Sequence, residues 1–124
     1  MIVGIGIDMI EVDRVLEKID KDSGFKQLIF SDNEIAFCDG QPAKGESYAA
    51  RFAAKEAFLK ATGLGLTLGH KLAEIEVAHD GNGKPMLNLL GNFKVKSIQH
   101  DWNKIHLSIS HLKTIACAVV IIEE

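Results

Sequence analysis

Apolar positions along the chain change period several times, and each change marks an element. From Met1 to Val12 (MIVGIGIDMIEV) most residues are apolar and many are β-branched, which predicts a buried strand. At period 2, Val3, Ile5, Ile7 and Met9 share one face, and Ile2, Gly4, Gly6, Asp8 and Ile10 share the other. Val15, Leu16 and Ile19 then recur at helical spacing, and Asp13 is placed to cap a short helix reaching about Asp22. Ser31-Asp32-Asn33-Glu34 has the form of a capping box opening a second short helix through Cys38. Glycines and a proline between Asp39 and Ser47 predict an exposed loop carrying Lys44.

The longest helical pattern is Tyr48 to Gly65, YAARFAAKEAFLKATGLG, with Ser47 as its candidate cap. At roughly 100° per residue, Ala49, Phe52, Ala53, Ala57 and Leu59 form one broad apolar sector, and Arg51 and Lys55 project to other sides. Gly63, Gly65 and Gly69 end the helix in a turn whose backbone N–H groups could meet an anion. Ala73 to Ala78 and Pro85 to Leu90 predict a hairpin across His79–Lys84, followed by a helix from Gly91 to Asp101. Ile105 to Ser110 and Ile115 to Ile122 are two further strands joined tightly through His111, and the last is apolar on both faces, as a central strand would be. The order is a strand, three helices, a hairpin, a helix and two strands. This predicts an α+β fold, a small mixed or antiparallel sheet packed on the central helix, in one domain spanning residues 1–124.

Composition narrows the function classes. With 25% charged residues and a net charge of −3, the surface is not one that favours nucleic acid as main partner. The run Ile115 to Ile122 is too short to span a bilayer, and no basic segment precedes the first apolar stretch, so neither membrane span nor signal peptide is expected. Cys38 and Cys117 lack the spacing of a disulfide framework or a metal site, which favours a cytoplasmic protein. Against the acidic total, Arg14, Lys18 and Lys21 recur on one helical stripe. Such a stripe is either a solvated face or a dock for an acidic partner.

Three charges sit where the apolar pattern should exclude them. Asp8 lies on the strand face that carries the glycines, where a ligand or another backbone can approach closely. Glu56 and Lys60 fall within the apolar sector of the central helix, one turn apart. They are either an i,i+4 surface pair worth a few tenths of a kcal/mol or part of a cleft. Two acids in apolar settings suit one hard cation, since Mg²⁺ takes one or two carboxylates and completes its shell with water and phosphate oxygens. Lys60 would add a point charge for phosphate. Phosphoryl transfer is the favoured chemistry, with a Mg²⁺-dependent phosphatase and a noncatalytic binding module as the alternatives.

The combination Gly6-Ile7-Asp8 with Arg14, Arg51-Phe52-Ala53-Ala54-Lys55-Glu56 with Lys60, and Ser108-Ile109-Ser110-His111 resembles the holo-[acyl-carrier-protein] synthases, the short bacterial phosphopantetheinyl transferases. Phe30-Ser31 with Glu34 and Cys38, Ile75-Glu76-Val77 and Gly83-Lys84-Pro85 extend the likeness over nearly the whole chain. The resemblance implies the phosphopantetheinyl transferase fold and transfer of 4′-phosphopantetheine from coenzyme A to a serine of apo-acyl carrier protein, in support of fatty acid biosynthesis. It assigns Asp8 and Glu56 to Mg²⁺ and Lys60 to the phosphates, with either Glu56 or a water on the metal as base. Lys44, Arg51 and His111 would hold the coenzyme A nucleotide, bordered by Gly63 and Gly65, and Arg14, Lys18 and Lys21 would meet the carrier protein. It further implies a homotrimer with active sites between subunits, one supplying Asp8, Glu56 and Lys60 and the next His111 and Arg51. Leu112 after the SISH stretch, and a loop whose only basic residue is Lys44, depart from the family pattern.

Overall fold

The computed structural model describes residues 1–21, 24–64 and 71–124. Strand β1 (Ile2–Glu11) runs into helix α1 (Val12–Asp20), followed by α2 (Phe25–Ile29), α3 (Asp32–Asp39) and the long α4 (Lys44–Thr62). A 3-10 turn at Leu72–Glu74 leads to the hairpin strands β2 (Ile75–His79) and β3 (Pro85–Leu89), then α5 (Gly91–Gln99), β4 (Lys104–His111) and β5 (Ile115–Glu123). The architecture is α+β, as the element order predicts, with one helix more before the hairpin than expected. The extra helix, α2, is only five residues long and has no buried residue, too little for a periodic signal.

Both sheets are antiparallel. The larger has the order β1-β5-β4, and β2 pairs only with β3. The expectation that β5 is central holds. Its register sets Ile5 opposite Ile121 and Asp8 opposite Ala118 on one side, and Ser110 opposite Cys117 on the other. Along β5, Ala116, Ala118, Val120 and Ile122 are buried against α4, at alternate positions as the pleat requires.

β1 is not buried on both faces. Val3, Ile5, Ile7 and Met9 are exposed, Ile5 at 66%, because no helix among the described residues covers that side of the sheet. The other face explains the glycines. A Cβ at Gly6 would collide with the carbonyl oxygen of Ala57, and one at Gly4 with that of Ala61, so the close approach is by the backbone of α4. Ala49, Ala53 and Ala57 supply the small side chains that this packing needs, and all are fully buried.

α4 departs from a one-sided amphipathic helix. Arg51 and Lys55, projected away from the core, are 5% and 0% exposed. The sheet covers one side of the helix, and α3 with the β2 hairpin covers another. Lys55 Nζ donates to Glu34 Oε1 at 2.6 Å and to the carbonyls of Ile75 at 2.6 Å and Leu72 at 3.0 Å. Glu34 Oε2 accepts from Val77 N at 3.1 Å, so one buried ion pair ties α3, β2 and α4 together. Glu76 extends the network, accepting from Ser31, Asn33 and Asn88.

Helix ends account for the remaining differences. α3 has its capping box: Ser31 Oγ accepts from Glu34 N at 3.2 Å, and Ser31 N donates to Glu34 Oε1 at 3.0 Å. α1 is entered through Glu11 without a side-chain cap, and Asp13 lies inside its first turn. α4 starts at Lys44, so Lys44 is helical and Ser47 is not a cap; Ser47 Oγ instead donates to Cys38 Sγ at 3.3 Å. Gly63 ends α4 at φ 73°, a left-handed turn that favours glycine.

Candidate functional site

A cleft of about 490 Å³ opens between β1, α1, α2 and α4, lined by Asp8, Arg14, Lys18, Phe25, Phe52 and Glu56 among others. β1 delivers Asp8 on its glycine-bearing face, and α4, held close by those glycines, delivers Glu56 opposite. Lys60 Nζ lies 3.2 Å from Asp8 Oδ1 and donates to the Ile7 carbonyl at 2.9 Å. Lys60 therefore pairs with the strand acid, and not with Glu56 as a simple i,i+4 surface pair would have it. Glu56 has no hydrogen-bond or ion-pair partner among the described residues. Burial, and then the charge of Asp8, push its carboxyl above the usual carboxylate range, against the smaller opposing pull of Lys60 and Lys18.

These residues fit a hard cation. A half-buried carboxylate without a donor, beside a second acid and open to a cleft, is an incomplete electrostatic arrangement that a divalent ion would complete. No cluster of three or more His, Cys, Asp or Glu groups that could hold a metal occurs among the described residues. Protein-only cages are thus absent there, and two carboxylates with water and phosphate oxygens is the arrangement the site allows.

A second cleft of about 450 Å³ is lined by Phe37, Ser47, Arg51, His79, Ile109 and His111 among others. The Arg51 guanidinium lies 4.3 Å from the Phe37 ring centroid, and Nη1 reaches Ser47 Oγ at 3.1 Å. Its Nε is buried without a hydrogen-bond partner. Arg51 also has no carboxylate partner among the described residues, so its positive charge is left to act on the cleft. Phe37 packs on His79 at 4.9 Å. Burial, and then the Arg51 charge, hold His79 below the usual imidazole range. His111, at the end of β4, places Nδ1 2.9 Å from Glu46 Oε1.

The two clefts share no lining residue. Asp8 and Glu56 are together in the first, with Lys60 bonded to Asp8; Arg51 and His111 are together in the second. Arg14 and Lys18 line the first cleft, with Lys18 Nζ 5.6 Å from the Phe25 ring centroid, whereas Lys21 pairs with Glu17 at 3.7 Å in solvent. Lys44 and Gly63 line neither cleft, and Gly65 lies outside the described residues. Phe37, His79 and Glu46 carried no signal in the sequence, and Ser47 only that of a helix cap, since what marks them is contact between elements far apart in the chain. No helix among the described residues is long and apolar enough to cross a membrane.

Residues 4–120 match the family model described as the 4'-phosphopantetheinyl transferase superfamily. The holo-[acyl-carrier-protein] synthase of Syntrophus aciditrophicus is 43% identical over 99% of this chain and 97% of its own length. That of Clostridium tetani is 44% identical at the same coverage. Among solved structures, the Neisseria meningitidis holo-[acyl-carrier-protein] synthase superposes with a TM-score of 0.90 at 28% identity, each chain fully covered. The Bacillus anthracis synthase in complex with CoA (3',5'-ADP) gives 0.80 at 39% identity, over 98% of this chain and 96% of that one. The chain belongs to the phosphopantetheinyl transferase superfamily and, within it, to the holo-[acyl-carrier-protein] synthase family of enzymes.

Proposed function

We propose that the protein transfers 4′-phosphopantetheine from coenzyme A to a serine hydroxyl of apo-acyl carrier protein, releasing adenosine 3′,5′-bisphosphate and supplying holo-carrier protein to fatty acid biosynthesis. The observation that carries the reading is the meeting of Asp8 and Glu56 at one cleft, with Lys60 bonded to Asp8 and Glu56 unpartnered among the described residues. Asp8 and Glu56 would hold Mg²⁺, which when bound polarises the pyrophosphate and offsets charge developing at phosphorus. Lys60, on the rim beside Asp8, adds a positive charge to the same oxygens. The serine oxygen forms a bond to the β-phosphorus as the bond to the leaving bisphosphate breaks. The serine proton leaves to a base at the cleft, either the Glu56 carboxylate or a water on the metal.

The second cleft is the place for the nucleotide. An arginine that has no carboxylate partner among the described residues, beside His111, suits phosphate oxygens, and the Phe37 and His79 rings offer flat surfaces to a base. Lys44, in the first turn of α4, and Gly63 at its other end would join the nucleotide-binding set, and so would Gly65. Arg14 and Lys18, with Lys21 further along the stripe, would receive the acidic carrier protein at the mouth of the first cleft.

Helix geometry supports a site shared with a second subunit. Arg51 and Glu56 are five residues apart on α4, so they point about 140° apart around the axis and open into different clefts. A complete site brings the first cleft of one copy to the second cleft of another, and the exposed row Val3, Ile5, Ile7 and Met9 supplies an apolar face for that association. We assign the assembly as a homotrimer acting in the cytoplasm.

Mass spectrometry of apo-carrier protein incubated with coenzyme A and Mg²⁺ tests the reaction. A phosphopantetheine adduct on the carrier serine is expected, and Asp8→Ala or Glu56→Ala should nearly abolish it. Phosphate release without an adduct would overturn the reading. Mixing Glu56→Ala with Arg51→Met subunits tests the shared site, because an assembly holding both would regain some intact sites. No recovery on mixing would refute the division.

A further inference from the structure

Glu46 lies in the first turn of α4, and His111 ends β4, so their contact joins two elements distant in sequence. Glu46 Oε1 is 2.9 Å from His111 Nδ1, with side-chain exposures of 21% for Glu46 and 44% for His111. His111 lines the cleft beside Arg51 and Ser47, but Glu46 does not. Nε2 of His111 has no hydrogen-bond partner among the described residues. The carboxylate sits at a helix N-terminus, where the macrodipole favours negative charge, and so makes a fixed anchor for the ring.

We propose that Glu46 is a positioning residue for the nucleotide cleft: it holds His111 through Nδ1, so that Nε2 is the ring nitrogen presented to a phosphate-bearing ligand. The proposal rests on the coenzyme A reading of that cleft. A carboxylate accepting from Nδ1–H fixes the ring's orientation, and in the ring protonated on both nitrogens Nε2–H is the donor left for a phosphate oxygen. Without that acceptor, a half-exposed imidazole at a strand end turns among several rotamers. The ligand must then order it on binding. A competing effect has the opposite sign. Glu46 is negative beside an anion site, and if repulsion dominated, removing its charge would tighten binding. Charge and orientation are therefore separable by variants.

The experiment measures coenzyme A binding calorimetrically on the assembled enzyme, with kcat and both KM values at saturating partner substrate, for Glu46→Ala, Glu46→Gln, His111→Ala and Glu46→Ala/His111→Ala. Glu46→Ala should weaken coenzyme A binding about fivefold, the scale of one ordinary hydrogen bond, and leave kcat and the KM for carrier protein near wild type. Glu46→Gln keeps an acceptor at the same reach and should recover most of the loss. In the His111→Ala background, Glu46→Ala should add nothing. Tighter binding in both Glu46 variants would overturn the proposal in favour of simple repulsion. Equal losses from Glu46→Ala with and without His111 would overturn it too, since Glu46 would then act elsewhere. If His111→Ala itself leaves coenzyme A binding unchanged, the nucleotide reading of the cleft falls along with the proposal. If His111→Ala weakens binding and Glu46→Ala does not, the cleft reading stands and only the positioning role fails.

Discussion

Replacing Lys55 by methionine tests how α4 is held. The two side chains have similar length and volume, so the substitution opens little cavity, and the effect is almost wholly electrostatic. What it strands is severe. Glu34, with 0% side-chain exposure, keeps its bonds from Ser31 N and Val77 N but loses the only cation bonded to it among the described residues. The carbonyls of Leu72 and Ile75 lose the donor that now reaches them at 3.0 and 2.6 Å. Breaking a buried pair from one side costs about 3–5 kcal/mol, a large share of the roughly 5–15 kcal/mol that stabilises a typical domain. The intact pair is nevertheless no large net gain. Burial pulls the Lys55 ammonium below its usual pKa more strongly than the charge and hydrogen bond of Glu34 raise it, so desolvation outweighs attraction. Removing the stranded charge as well should therefore recover much of the loss.

Urea unfolding at fixed protein concentration measures this. Trp102, the one tryptophan, packs edge-on against Phe58 of α4 with centroids 5.7 Å apart, and so reports on that helix directly. Lys55→Met is expected to lose about 3–5 kcal/mol, and Lys55→Met/Glu34→Gln clearly less. A loss under about 1 kcal/mol in the single variant, or losses that simply add in the double, would refute the buried-pair account.

Three further outcomes follow from the same geometry. The folded state holds the Glu56 carboxyl above its ordinary pKa, so this group favours folding at acid pH, and the contribution is lost as pH rises through the raised value. Glu56→Gln should accordingly raise the melting temperature in metal-free buffer at pH 7, with a gap to wild type that closes toward pH 4, while transfer is lost; a lower melting temperature at pH 7 would contradict the shift. Gly6→Ala drives a Cβ into the Ala57 carbonyl and must push α4 off β1, so stability should fall by at least about 2 kcal/mol by urea unfolding, and transfer should fall with it; near-wild-type behaviour in both would show that the helix is not seated on Gly6. Arg14→Glu should raise the KM for carrier protein severalfold, less so at high salt, and leave coenzyme A dependence alone; a change confined to coenzyme A would end the docking assignment.

The sequence was most legible where a local rule decides the structure. The unbroken apolar run at Ile115–Ile122 marked the central strand, Ser31 and Glu34 marked a capping box that forms in full, and Gly63 marked a helix end. Asp8, with glycines beside it on its face, stood out for a reason the fold explains: the glycines admit the α4 backbone, and the acid at the end of that contact is carried to the cleft edge. Lys55 was misread because a helical projection assumes one wet side, and charge pairing with Glu34 lets a lysine occupy a dry one. The outer face of β1 was misread because periodicity reports apolarity, and an apolar face left exposed on the single chain has the same pattern as one buried within it. Phe37, Glu46 and His79 were invisible because each acquires its role only across a tertiary contact.

Four of the six charges of α4 fall into two pairs around its axis. Arg51 and Lys55 lie about 40° apart, as do Glu56 and Lys60, and the pairs are separated by about 140° between Arg51 and Glu56. Arg51 of the first pair lines the proposed nucleotide cleft and Lys55 holds the buried network; Glu56 of the second lines the first cleft and Lys60 is bonded to Asp8. A rigid helix of 19 residues cannot turn both toward one substrate, so the proposed chemistry depends on a neighbouring copy as much as on any side chain at the cleft. Ile5→Glu should therefore abolish transfer although Ile5 lines neither cleft. It lies in the exposed apolar row, where a carboxylate costs the isolated chain little and an apolar interface several kcal/mol. Sedimentation should find folded monomers with native circular dichroism and no transferase activity. An Ile5→Glu monomer that still modifies carrier protein would mean that one chain completes the site alone.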